Sequence, residues 1–275
     1  MPVFSIIIPT YNSEEKIAKA IDSVLHQSFS DFEICIIDGA STDRTMEIVS
    51  NYALNEKRVK FISENDRGIY DAMNKGIIFS SGHWIYFLGS DDTLYSKDVL
   101  QIIYSYCTTT KASILYGNVK MDGDTGWSKH GDIYDGPFNL HKLMLQNICH
   151  QAIFYHRSVF KKIGNFNTVY KICADWDFNL HCFARFDLHH IDLIVALYYG
   201  GGVSSVSEDT VFMSDKLNNI IKYFQNKLYY SEFVQIRPLL RKKIVDKKSS
   251  FNWRISVKLL FCSFILQLKT PSTNI

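Results

Sequence analysis

Between Phe4 and Leu88 the chain alternates short apolar, β-branched runs with amphipathic helical patterns, and few folds accommodate that alternation. The predicted strands are 4–8, 32–37, 59–63 and 84–88, and the predicted helices are 14–25, 44–51 and about 69–78. Strands joined to helices by short polar turns imply a mostly parallel sheet covered on both faces, so the expected class is α/β. Beyond Asp92 the pattern loosens. A helix is expected over 99–107 and strands over 114–119, 152–155 and 191–198, with a Gly/Asp-rich loop at 121–137.

Ligands of such sheets bind outside the carboxyl ends of the strands, which directs attention to the polar residues that follow each one. These are Pro9-Thr10-Tyr11-Asn12, Asp38-Gly39-Ala40-Ser41, Asp66-Arg67 and Ser90-Asp91-Asp92. A dinucleotide-binding oxidoreductase would carry G-x-G-x-x-G in the first turn, and no glycine is present there. Asn12 followed by Glu15 reads as a cap for the first helix, and Ser41 or Asp43 as a cap for the second.

Composition excludes collagenous, low-complexity and disulfide-dense classes: the 275 residues are 47% hydrophobic and 21% charged. Six cysteines lie scattered without C-x-x-C spacing and no secretory leader is evident, so a reducing, cytoplasmic setting is expected. No run reaches the roughly 18 apolar residues of a membrane span. The net charge of +2 is unevenly spread. Nine Lys/Arg against Asp246 alone fall within 237–269, leaving 21 basic and 27 acidic residues elsewhere. Nothing in this balance calls for a nucleic-acid partner.

Adjacent carboxylates such as Asp91-Asp92 after an apolar strand offer hard oxygen ligands for Mg²⁺ or Mn²⁺, although the same residues also suit a turn that caps the next helix. Asp38 closes the second strand, where a carboxylate can accept a base imide or amide hydrogen, and Thr10 with Tyr11 can wall the same pocket. Asp38-Gly39 equally suits a turn. Arg67 is a planar cation suited to a diphosphate. Asp175 and Asp177 flank Trp176, an arrangement that can hold a sugar ring beside a carboxylate, while either aspartate could cap a helix at 178–185. His181, Cys182, His189 and His190 fit no closed zinc spacing and read as structural. His150 and Gln151 open a strand of the second half, either beside the site or as ordinary satisfied side chains.

Four stretches in order carry a resemblance: Ser5 to Asn12, Ile36 to Thr45, Gly68 to Gly76, and Leu88 to Asp92. Together they resemble the family 2 glycosyltransferases of the GT-A fold, and Ala174-Asp175-Trp176-Asp177 and Gly201-Gly202-Val203-Ser204 are similar to the acceptor-half motifs of that family. The resemblance implies a GT-A domain over 1–206, with a nucleotide-sugar half at 1–93 and an acceptor half at 94–206; the tail lies outside it, and its own pattern reads as a helical, basic-apolar extension at 207–275. The resemblance also implies Asp92 as direct metal ligand, Asp91 either near the ribose or as a supporting partner behind that ligand, and Pro9, Thr10, Tyr11, Asp38 and Arg67 around the nucleotide. Asp175 becomes the general base. Two departures stand out, since the family often has Asp where this chain has Gly89 and usually Glu where it has Ala174.

The function implied is inverting transfer of a hexosyl or N-acetylhexosaminyl group from a nucleoside-diphosphate sugar, UDP-sugar favoured, to a saccharide or lipid-linked hydroxyl in bacterial surface polysaccharide assembly. Alternatives are a sugar nucleotidyltransferase, which would want a glycine-rich basic phosphate loop near the N-terminus, and a catalytically inactive binding subunit docked at a membrane. Lys242, Lys243, Lys247 and Lys248 before Trp253 and the apolar run 255–268 resemble an interfacial helix on an anionic leaflet, and packing of that run on protein is the competing reading.

Overall fold

A computed structural model describes residues 1–200 and 208–229. Strands β1 (Phe4–Thr10), β2 (Phe32–Asp38), β3 (Val59–Ser63) and β4 (Trp84–Phe87) fall where the alternation places them. They pair in parallel in the order β3-β2-β1-β4. Helices α1 (Ile17–Leu25), α2 (Thr45–Asn55) and α3 (Ile69–Phe79) supply the crossovers. The apolar runs fill both faces: Ile7, Cys35, Ile37, Ile85 and Phe87 meet Tyr70, Met73 and Ile77 of α3. Ile6, Ile8, Ile34, Ile36 and Tyr86 instead meet Ile17, Ile21 and Val24 of α1 and Val49 of α2. Alternation of side chains along each strand produces this division into two cores.

The second half extends the same sheet with a different grammar. Short β5 (Thr93–Leu94) and helix α4 (Val99–Thr109) lead to β6 (Ile114–Asp122), β7 (Ile133–Tyr134), helix α5 (Leu140–Leu145), a 3-10 turn at His150–Ala152 and β8 (Ile153–His156). Helices α6 (Ser158–Ile163) and α7 (Ala174–Arg185), strand β9 (Leu188–Tyr199) and helix α8 (Thr210–Phe224) follow. The sheet continues from β4 through β8, β6 and β9 to β5, and β7 pairs β6. β8 runs antiparallel to β4 and β6, whereas β9 is parallel to β6. The described part of the chain beyond 206 joins the core, because Phe212, Ile220, Ile221 and Phe224 of α8 pack in the cluster that contains Phe178 and Leu180 of α7.

Three local expectations change. Helix α1 starts at Ile17, because residues 12–14 bond to the next loop instead of capping it: Asn12 Oδ1 accepts from Thr42 N, Ser13 N donates to Thr45 Oγ1 and Glu14 N donates to Asp43 Oδ2. At α2 it is Asp43, not Ser41, that receives the first helical N–H, from Thr45 at 3.0 Å. Helix α7 begins four residues earlier than predicted, so Asp175 and Asp177 lie inside its first turn. Negative charge is favourable there beside unpaired N–H groups. Among the described residues no helix is long and apolar enough to cross a membrane.

Candidate active site

Asp92 follows β4 and is only 2% exposed. Its Oδ2 accepts from Gln151 Nε2 at 2.7 Å and its Oδ1 from Tyr199 N at 2.7 Å, so the 3-10 turn and the end of β9 hold the carboxylate from two sides. Burial, reinforced by the neighbouring negative charge of Asp91, pushes Asp92 up to about 7. Both carboxylates border Gly89: a Cβ built there would collide with Asp92 Oδ2 and lie 3.0 Å from Asp91 Oδ1. A side chain at position 89 would therefore have to push these carboxylates aside.

The divalent ion implied by the resemblance fits this donor set. Two hard carboxylate oxygens converge, each Asp92 oxygen retains a lone pair beyond its one hydrogen bond, and the mutual repulsion of the pair favours a cation between them. Among the described residues no group of three or more His, Cys, Asp or Glu is arranged to hold a metal ion.

Asp175, 7% exposed, lies at the opposite side of the same 3-10 turn. Tyr70 Oη and Asn147 Nδ2 approach its two oxygens at 2.8 and 3.0 Å, and His150 Nδ1 stands 3.4 Å from Oδ2. His150 and Gln151 are consecutive residues, and one faces Asp175 while the other bonds Asp92. The other ring nitrogen of His150, Nε2, is buried without a hydrogen-bond partner. Burial raises the Cys149 thiol, and the charges of both Asp175 and Asp92 raise it further, which places the two carboxylates around one turn.

The first two strand-end loops lock to each other through Asn12 and Ser41, whose N–H and Oγ are 2.8 Å apart. Asn12 and Ala40 both adopt left-handed backbone, at φ 48° and 62°. Asp38 is fully buried and committed to the turn: Oδ1 accepts from Ser41 Oγ at 2.5 Å, and Oδ2 from Ser41 N at 3.0 Å and Ser63 Oγ at 2.6 Å. The Asp66 carboxylate and the exposed Tyr11 ring both border Gly39. A Cβ on Gly39 would lie 2.6 Å from Asp66 Oδ2 and 3.4 Å from the Tyr11 ring, and Tyr11 is 62% exposed. Pro9 and Thr10 are buried beneath, with Thr10 Oγ1 lacking a hydrogen-bond partner. Arg67 is exposed and ion-paired with Asp71 of α3 at 3.1 Å.

Trp176 does not offer its face to a sugar. Lys216 Nζ sits 3.4 Å from its ring centroid, Phe212 packs beside it, and its Nε1 donates to Leu143 O at 2.6 Å. Asp177 likewise binds α8, through Tyr223 Oη at 2.9 Å and Asn219 Nδ2 at 2.8 Å. Of the residues set aside as structural, Cys182 is buried in the core and His181 stacks on Tyr223 at 4.2 Å. Asn147, Tyr70 and the backbone of Tyr199 escaped sequence reasoning as partners of the two carboxylates. Asp66, His150 and Gln151 were visible as polar residues without a particular role. Gly201-Gly202-Val203-Ser204, the boundary at 206 and the stretch 237–269 lie outside the described residues.

The sequence profile of the family "Glycosyl transferase family 2" matches residues 5–164. A "PGL/p-HBAD biosynthesis glycosyltransferase" of Mycobacterium bovis is 39% identical over 219 residues, covering 77% of this chain and 83% of that protein. Chondroitin synthase of Escherichia coli is 30% identical over 196 residues, which span 70% of this chain but 28% of the larger enzyme. Among solved structures, S. aureus TarS 1–349 in complex with UDP superposes with a TM-score of 0.60 at 18% identity, over 88% of this chain and 78% of that one. A mannosyltransferase from Pyrobaculum calidifontis in complex with GDP-Man and Mn²⁺ gives 0.55 at 14% identity, over 98% of this chain and 76% of that one. The shared architecture is the GT-A fold.

Proposed function

Because this chain belongs to glycosyl transferase family 2 and is a glycosyltransferase of polysaccharide or glycoconjugate synthesis, we propose that it moves a sugar from a nucleoside-diphosphate sugar to an acceptor hydroxyl with inversion. The observation that carries the reading is the turn at His150-Gln151, whose consecutive side chains reach Asp175 and Asp92, so that both carboxylates contact one turn. Asp92 and Asp91 would hold Mg²⁺ or Mn²⁺. Such an ion neutralises charge on the leaving diphosphate.

Asp175 takes the proton of the acceptor hydroxyl as that oxygen attacks the anomeric carbon from the face opposite the diphosphate. Tyr70, Asn147 and the backbone N–H of Trp176 fix its carboxylate so that one orientation is presented. On the donor side, Tyr11 supplies an aromatic wall, and Asp66 an acceptor for a base N–H, with Asp38 shaping the turn below them. Uracil and guanine both present such an N–H, and the two structural neighbours were solved with UDP and GDP-Man. We favour UDP-sugars and a hexosyl or N-acetylhexosaminyl group.

A thermal-shift panel of UDP, GDP, CDP and dTDP with and without Mn²⁺ ranks the donors, since a ligand at 100 times its dissociation constant stabilises by about 2.7 kcal/mol. Stabilisation by a nucleoside diphosphate only with Mn²⁺ is expected. The anomeric configuration of the product, read by proton NMR, tests inversion, and a retained configuration removes Asp175 as base. For the acceptor we propose a saccharide or lipid-linked saccharide, reached by docking of residues 237–269 on an anionic membrane surface. Flotation with anionic and neutral vesicles, with and without those residues, decides that point.

A further inference from the structure

The loop between β6 and β7 holds an aromatic side chain in the open, and the reason lies in what surrounds it. Trp127 is 44% exposed. Its indole is nonetheless held, in a T-shaped contact with Tyr134 at 4.9 Å between centroids and tilted on Tyr198 at 5.9 Å. The loop itself is braced by its own polar groups. Ser128 N donates to Thr125 Oγ1 at 2.8 Å, His130 N to Asp124 Oδ1 at 2.9 Å, and Lys129 N to Asp132 Oδ2 at 2.8 Å. At its base the loop is pressed against the end of β9: Gly200 N donates to Asp122 O, and a Cβ on Gly200 would come within 2.8 Å of Asp124 O. Ordering a loop this tightly opposes chain entropy, and the indole it displays gains little burial in return.

Both partners of Trp127 lead to the carboxylates. Tyr134 Oη donates to Asn147 O at 2.6 Å, and the side chain of Asn147 bonds Asp175 at 3.0 Å. Tyr198 precedes Tyr199, whose N–H bonds Asp92 at 2.7 Å. An exposed indole is thus tied through two residues on each side, Tyr134 and Asn147 toward Asp175 and Tyr198 and Tyr199 toward Asp92, to the groups that would activate the acceptor and hold the donor phosphates. Trp176, the aromatic residue beside Asp175 in sequence, is covered by Lys216 and Phe212 and does not offer a stacking surface, whereas Trp127 does.

Building on the glycosyltransferase reading, we propose that Trp127 is the acceptor platform: the apolar C–H face of the acceptor's terminal pyranose lies on the exposed indole, which turns its hydroxyl toward Asp175. A sugar ring presents such a face alongside its hydroxyl groups, and a rigid aromatic surface binds it with little loss of side-chain freedom.

Saturation-transfer NMR with the full chain, UDP and Mn²⁺ tests this, using the methyl glycosides of glucose, galactose, rhamnose and N-acetylglucosamine as probes. Wild-type protein is expected to saturate the ring protons of at least one glycoside. Trp127→Ala should weaken that binding by about tenfold and Trp127→Phe by less than about threefold, with unchanged melting temperature and UDP affinity. Equal glycoside binding in Trp127→Ala, or no binding of any glycoside to wild type that binds UDP, overturns the platform and leaves the glycosyltransferase reading standing. Loss of UDP binding or folding in both variants also overturns it, because the indole then supports the structure. Wild type that binds no nucleoside diphosphate with Mn²⁺ overturns both.

Discussion

Gly89 leaves the space that the carboxylate of Asp92 occupies. A Cβ at position 89 would overlap Asp92 Oδ2 and crowd Asp91 Oδ1 at 3.0 Å, and the chain around Asp92 is pinned by Gln151 and by Tyr199 N. Gly89→Ala should therefore displace the carboxylate pair. We expect Mn²⁺-dependent UDP affinity to fall by about tenfold or more and stability to drop by about 1 to 3 kcal/mol, as for overpacking a filled site. Calorimetric titration and denaturant unfolding measure the two effects, and wild-type values in both would show that the site yields freely.

Asp92→Asn should separate binding from stability. In the folded chain Asp92 ionises at about 7, against about 3.9 for a free aspartate. Between those values the folded state retains a proton that the unfolded state has lost, so stability falls as pH rises from about 4 to 7. The amide removes this penalty. Rotation of the Gln151 side-chain amide lets its oxygen accept from the new Nδ2, while Oδ1 keeps the Tyr199 N–H. At pH 8 without metal the variant should be more stable by about 1 to 3 kcal/mol, a gain that disappears near pH 4. Metal-dependent UDP binding should be lost. Melting curves across pH, with and without Mn²⁺ and UDP, check both halves.

The parallel strands were legible because each is a continuous apolar run closed by polar residues, as at Ile36-Ile37-Asp38 and Leu88-Gly89-Ser90. Acidic residues just past those runs were legible for the same local reason, whereas Asp175 was marked by its resemblance to an acceptor-half motif and not by its place inside α7, which begins earlier than predicted. What closes around them was not. Gln151 reaches Asp92 across 59 residues, Asn147 reaches Asp175 across 28, and Lys216 covers Trp176 from a helix 40 residues downstream in the sequence, and no local pattern encodes such meetings. Asp38 shows the boundary within one residue. Its bonds to Ser41, three positions on, are the turn chemistry that Asp-Gly predicts, whereas its bond to Ser63 depends on the pairing of β2 with β3.

At the far end of the same strands Glu33 should govern acid stability without touching activity. Burial opposes its charge, but Lys60 Nζ at 2.9 Å, Ser5 Oγ at 2.6 Å and Ser81 N at 2.5 Å together bring it down to about 2. A depressed carboxylate contributes stability above its unfolded value near 4.3 and loses it as pH falls toward 2. Glu33→Gln should cost about 2 to 3 kcal/mol at pH 7 and almost nothing near pH 2, with UDP affinity unchanged. Urea unfolding at the two pH values measures it. A difference that does not depend on pH would assign the loss to packing instead of charge.

Asp175 and His150 give the last and sharpest division of roles. His150 Nδ1 lies 3.4 Å from Asp175 Oδ2, longer than the bonds from Asn147 and Tyr70, so the carboxylate is oriented mainly by those two and keeps a flank open toward the histidine. Replacing the carboxylate by an amide preserves its shape and its contact with Tyr70 but removes its basicity. Asp175→Asn should leave Mn²⁺-dependent UDP affinity within about twofold of wild type and lower turnover by about 100-fold or more, as for loss of a general base. Asn147→Ala keeps the base but frees one oxygen from its partner, so its loss should be smaller, about 10-fold. Turnover is read with UDP-sugar and acceptor saccharide under saturating donor, and UDP affinity by calorimetry on the same preparations. Comparable activity in wild type and Asp175→Asn would move the proton to another group, and His150, with a buried ring nitrogen that has no partner, is the side chain placed to receive it.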